Sequence, residues 1–252
     1  MKKIIYYIVF AIIFTSCKDE TDCCVNPVPV KVSLKFTHNW DGVPVSSSDF
    51  NEFKFTTKNG ELISVEKLRY LVSNIKIGDN VKDYQLINIG ENSGLEISFD
   101  AITTGNQRLQ FTFGFSDADN KDGIYQDLNS VNFGVPGMLG GGYHFMQFDG
   151  KYKDGNNQSG SFNYHAIRAA NRTNTDNPWK DLPDTSFLVD LGVVEITNNV
   201  TIEIKMNIAE WFKNPNTWNL NELYTVLMPN LEAQKLMSTN GKTVFSLGDV
   251  TQ

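Results

Sequence analysis

The chain has 252 residues, with 29 Asp and Glu against 22 Lys and Arg, a formal charge of −7, and only three cysteines and three histidines. That balance opposes a nucleic-acid partner, because a phosphate-binding face needs concentrated Lys and Arg to displace counterions, and no such stripe occurs. Three cysteines cannot build a folded disulfide framework, and Cys23 and Cys24 lie side by side in "TDCCVNPVPV", outside any core-like run.

Read from its start, the chain opens with the basic "MKK", the apolar run "IIYYIVFAIIF" and the small residues Thr15 and Ser16 before Cys17. The run is too short for a standard spanning helix and fits a lipoprotein signal, so residues 1–17 are read as a signal with Cys17 as the lipidated residue. Residues 18–29 are expected to form a flexible tether. Its first part, "KDETD", resembles the acidic export signal of Bacteroidota-type surface lipoproteins, which implies an outer-membrane and surface-exposed location.

Residues 30–252 are expected to form one domain. "VKVSLKFT" alternates apolar and polar, which puts Val30, Val32, Leu34 and Phe36 on one face of a strand with His38 continuing it. Further strands are predicted over 53–57, 68–77, 84–89, 94–99, 108–115, 143–152, 161–167, 187–196 and 200–206. Helical pieces are predicted near 64–67, at "NIAEWF" and over 230–237, where Asn230 offers a cap. Many strands without a βαβ rhythm predict an all-β fold, a single antiparallel β-sandwich with short helical decorations.

Two histidines fall in adjacent strands, in "GGGYHFMQFDG" and "FNYHAIRAA". A two-residue turn at Asp154-Gly155 sets His144 directly opposite His165, with Cβ atoms about 4.5–5.5 Å apart. A longer loop offsets the pairing, and an odd slip sends the rings to opposite faces. Two imidazoles side by side suit a metal ion at roughly 2.0 Å from each nitrogen. His38 is the expected third ligand, and Met146, expected on the face of His144, adds a thioether; Met138 is a further soft donor nearby. This donor set suits copper or zinc.

The same segments carry a family resemblance. "LKFTHNWDGVPV", "KLRYLVSNIKI", "LQFTFGFSDADN", "GGGYHFMQFDG" with "FNYHAIRAA", and "IKMNIAEWFKNPNTWNL" followed by "NGKTVFSLG" together resemble the MbnP-like copper-binding domain family, over most of the chain after the tether. The family is known from methanobactin-associated periplasmic proteins and from many lipoproteins of the Bacteroidota type. The resemblance implies a β-sandwich holding a copper ion on histidines. In some members it also implies a tryptophan oxidised to kynurenine by a partner di-haem enzyme. Here the stretch before the Gly-Tyr element reads "GMLGGGYHF" and offers no indole; Trp40, two residues after His38, is read as a core or rim aromatic.

A second cluster, Asp117, Asp119 and Asp122 in "SDADNKDGIYQD", has oxygen ligands at short spacing and is read either as a calcium site or as a solvated loop with Asx-turns. Gly123 comes one residue late for an EF-hand loop. The chain carries no G-x-S-x-G, HExxH or phosphate-cradling glycine loop, so no enzymatic turnover is expected. Two functions stand: a copper-binding envelope lipoprotein that exchanges the ion with a donor or acceptor protein, and a sandwich module binding glycan or protein, in which the histidines are incidental.

Overall fold

The computed structural model describes residues 29–171, 173–174 and 176–252. The signal segment, Cys17, Cys23 and Cys24 lie outside them. In chain order the strands are β1 (Pro29–Trp40), β2 (Val43–Pro44), β3 (Phe55–Thr56), β4 (Leu62–Ile77), β5 (Asn80–Asn88), β6 (Glu96–Thr103) and β7 (Gly105–Phe113). A short helix α1 (Gln126–Ser130) precedes β8 (His144–Lys153), β9 (Ser159–Ile167), β10 (Phe187–Ile196) and β11 (Val200–Asn207). Helix α2 (Leu231–Gly241) and strand β12 (Phe245–Thr251) follow. Among the described residues no helix is long and apolar enough to cross a membrane.

These strands form two curled sheets, one of five strands ordered β12-β11-β1-β2 with β6 also on β1, and one of seven ordered β10-β7-β4-β8-β9 with β3 and β5 also on β4. The all-β sandwich is therefore as expected, with one departure from a purely antiparallel plan: β1 runs parallel to β11, Val32 opposite Val200 and Asn39 opposite Asn207. A parallel pair needs a long connection, and nearly the whole chain supplies it.

The alternation in β1 does what a half-buried strand requires. Val32, Leu34, Phe36, His38 and Trp40 are buried while Ser33, Lys35 and Thr37 between them are not. From the facing sheet, β4 sends Leu68, Tyr70 and Val72 inward, and the aromatic rings of Phe36, Tyr70, Phe111, Phe113 and Phe245 pack against one another at centroid distances of 5.1–6.4 Å. Each such ring removed from water contributes about 1.5–3 kcal/mol before chain entropy is counted.

Several local expectations change. The helical turn near residues 64–67 is part of β4, where a bulge between Val65 and Lys67 interrupts the alternation. "NIAEWF" is a single 3₁₀ turn, Ile208–Phe212, begun by the Asn207 side chain accepting from the Ala209 amide. Asn230 caps α2 as predicted, accepting from the Ala233 amide at 3.1 Å. Helix α1 and strand β12 were not anticipated; β12 extends the five-stranded sheet by pairing with β11.

Candidate metal centre

The hairpin of β8 and β9 decides the site, and its turn is longer than two residues. Asp154 accepts backbone N–H bonds from Asn156 at 2.9 Å and Gln158 at 2.7 Å, which holds a loop of residues 154–158 and makes Lys153 pair with Ser159. His165 therefore lies opposite Gln147, not His144: the register is three residues from the expected one. An odd slip alone would separate the two rings. A second irregularity restores them, because a bulge between His144 and Met146 resets the ladder so that His144 pairs with Ile167. Ile167 and His165 share a face, so His144 and His165 do too, and their rings meet edge-to-face with centroids 5.2 Å apart and planes at 84°.

The bulge has the opposite consequence for Met146. It pairs with Ala166 across the hairpin and with Tyr70 across β4, which turns its fully buried side chain into the sandwich, so the expectation that it shares a face with His144 is corrected.

His144 is 4% exposed. The segment before β8 doubles back on it through a bridge between Gly134 and Tyr143, and the Phe133 carbonyl accepts from the His144 amide at 3.0 Å. That carbonyl also lies 2.9 Å from His144 Nδ1. A carbonyl only accepts, so Nδ1 carries the proton and Nε2 keeps its lone pair. Nε2 is buried and has no hydrogen-bond partner among the described residues. Burial, reinforced by the neighbouring His165, lowers the His144 pKa to about 4, so this imidazole stays neutral at ordinary pH.

His165 is partly buried and places Nε2 at 2.7 Å from Asp149 Oδ1. Burial pushes the Asp149 carboxyl up, but hydrogen bonds from His165 and Asn163, with Lys67 beside it, outweigh that and hold it well below the usual carboxylate range. Arg69 closes another side: its Nε donates to Gln147 Oε1 at 2.7 Å and its guanidinium lies over the Phe133 ring at 5.3 Å. A buried neutral imidazole with a free lone pair, set against a second imidazole, fits a borderline or soft cation.

The remaining candidates lie elsewhere. His38 faces the sandwich interior, where Nε2 is 3.0 Å from the Tyr70 hydroxyl, whereas the histidine pair is on the outer face of the β4-β8-β9 sheet; His38 is not brought to it. Trp40 is a core aromatic, stacked on Phe55 at 5.1 Å and beside Phe212. Met138 is 77% exposed on the loop before β8. The acidic loop does not converge: Asp117 is taken by the buried Arg168 guanidinium at 2.5 and 3.0 Å, Asp119 accepts from Ser116 Oγ at 2.7 Å, and Asp122 lies beside Gly141. Among the described residues no group of three or more His, Cys, Asp or Glu side chains is arranged to hold a metal. The residues that sequence reasoning missed are Asp149 and Phe133. Period-two alternation along β8 puts Asp149 on the face of Gln147, but only the true register sets that face against His165.

Fold and site thus define a β-sandwich protein that carries a paired-imidazole face on one sheet. The chain belongs to the MbnP family, whose model matches residues 29–229. That family is associated with methanobactin- and copper-related function. Among solved structures, MbnP from Methylosinus trichosporium is similar at 10% identity, with a TM-score of 0.46, over 75% of this chain and 79% of that one. No curated protein sequence matches the chain.

Proposed function

We propose that this protein is a copper-holding lipoprotein of the outer membrane, anchored through Cys17, that captures or stores the ion without catalytic turnover. The observation that carries the reading is the Nε2 of His144, a buried lone pair without a hydrogen-bond partner among the described residues, on a ring packed edge-to-face with His165. A buried polar atom left unpaired costs about 1–3 kcal/mol, and a bound cation removes that cost. Family membership favours copper over zinc. With two imidazoles and no third ligand of the usual types among the described residues, the pair leaves positions open for exchange with a donor or acceptor protein. Nothing in this reading requires a di-haem partner, because Trp40 serves the core.

The test is a titration of tag-free protein with copper and, in parallel, zinc, comparing wild type with His144→Ala/His165→Ala while circular dichroism checks that both are folded. One tight copper equivalent in wild type and none in the variant is the expected result. Equal stoichiometry in the two would sink the site and favour the glycan- or protein-binding module. Incorporation of labelled fatty acid into wild type but not Cys17→Ala tests the anchor.

A further inference from the structure

Resting on the paired-imidazole reading, we infer that Asp149 is a positioning residue that commits His165 to bind metal through Nδ1, so that the pair presents unlike nitrogens, Nε2 of His144 and Nδ1 of His165.

A neutral imidazole carries one proton, and whichever nitrogen meets an acceptor keeps it. At His144 the acceptor is the Phe133 carbonyl on the Nδ1 side, which leaves Nε2. At His165 the acceptor is on the other nitrogen: Asp149 Oδ1 lies 2.7 Å from Nε2, and the hydrogen bonds of the described residues do not use Nδ1. The two rings therefore have opposite tautomers although both sit on one face of one hairpin.

The carboxylate that sets the second tautomer is held from the two strands that flank its own. Asp149 pairs in the ladder with Asn163 on β9 and with Lys67 on β4. Asn163 Nδ2 donates to Oδ1 at 2.7 Å and Lys67 Nζ contacts Oδ2 at 2.9 Å. Both oxygens are engaged, so the carboxylate cannot swing toward the metal position without breaking these bonds, and its bond to His165 fixes the ring's rotation as well as its proton. A carboxylate on the far nitrogen of a ligating histidine also raises the basicity of the ligating one, and loss of such a partner typically costs about 10–100-fold in metal affinity.

The decisive measurement needs no metal. Long-range proton–nitrogen NMR spectra of the metal-free protein at mildly alkaline pH, assigned with His144→Gln and His165→Gln, report the tautomer of each ring. His144 protonated on Nδ1 and His165 on Nε2 is expected; His165 protonated on Nδ1, or on both nitrogens, would overturn the inference. The variant Asp149→Ala sharpens it, since it removes the acceptor at Nε2 and frees the His165 ring to exchange tautomers and to rotate. It should add an Nδ1-protonated form to the His165 signal and weaken copper binding by about 10–100-fold, with Asp149→Glu restoring the single Nε2-protonated form. An unchanged His165 signal with unchanged affinity in Asp149→Ala would also overturn it. Failure of wild type to bind copper would end the copper reading, while the metal-free spectra would still decide this one.

Discussion

His38 and His144 are buried almost equally, at 6% and 4% exposure, and burial lowers both pKa values to about 4, yet they sit in opposite chemical situations. Inside the sandwich, His38 Nε2 has the Tyr70 hydroxyl at 3.0 Å. On the outer face of the β4-β8-β9 sheet, His144 Nε2 has no hydrogen-bond partner among the described residues. Burial and a shifted pKa therefore do not mark a ligand. What separates the two is the unmet lone pair, which His144 has and His38 does not.

The largest test of that comparison is acid. Unfolded histidines take up protons below about pH 6.5. The folded ones resist until about pH 4, so the unfolded state binds more protons in between. The contribution is fully present above pH 6.5 and is lost as pH falls toward 4, about 3 kcal/mol for each histidine. Urea unfolding across that window should show the loss, and His144→Ala should remove about half of the slope. A flat profile would mean that neither imidazole is held neutral by its surroundings.

Next in size, Tyr70→Phe puts His38 in the position of His144 by deleting its hydroxyl partner. Stability should fall by about 1–3 kcal/mol, the cost of a buried group left unpaired. Copper stoichiometry should not change, because His38 is not part of the pair; a lost copper equivalent would place His38 in the site after all. The smallest effect is expected from Asp154→Ala, which takes an acceptor from two loop amides and should cost about 1 kcal/mol. Since the register that the turn and the bulge set together is also held by the β8-β9 ladder, copper affinity should survive. A sharp drop would give the turn that role.

How far the sequence reveals this arrangement depends on which irregularities it marks. The alternation of Val32, Leu34, Phe36 and His38 is legible because β1 is regular, and it correctly sends His38 inward; what it omits is that inward means beside the Tyr70 ring of the facing sheet. Both strands of the histidine hairpin are legible, and their register is not. "DGNNQ" contains a dipeptide suited to a two-residue turn, but the Asp154 side chain stabilises a five-residue loop through contacts that spacing cannot show. The bulge at residues 144–146 has no glycine or proline to announce it. Glu66 and Lys67 read as a turn because the bulge in β4 breaks the alternation there, and β12 was missed because Phe245–Thr251 is mostly exposed and lacks a buried face to count.

The parallel pairing of β1 with β11 bears on how the chain reaches this state. β1 is the first strand described, yet it sits mid-sheet between β6 and β11, and its ladder with β11 joins residues 168 apart, as in the Lys31 amide bond to the Asn199 side chain. Pairings so distant in sequence form slowly, since the closure entropy is lost before the contacts reward it. A chain delivered from its N-terminal end therefore holds β1 with one edge unpaired until about residue 200 arrives. An open edge is a template for pairing with other chains. The same strand order that closes the finished sandwich makes the partly delivered chain the species most in need of a chaperone.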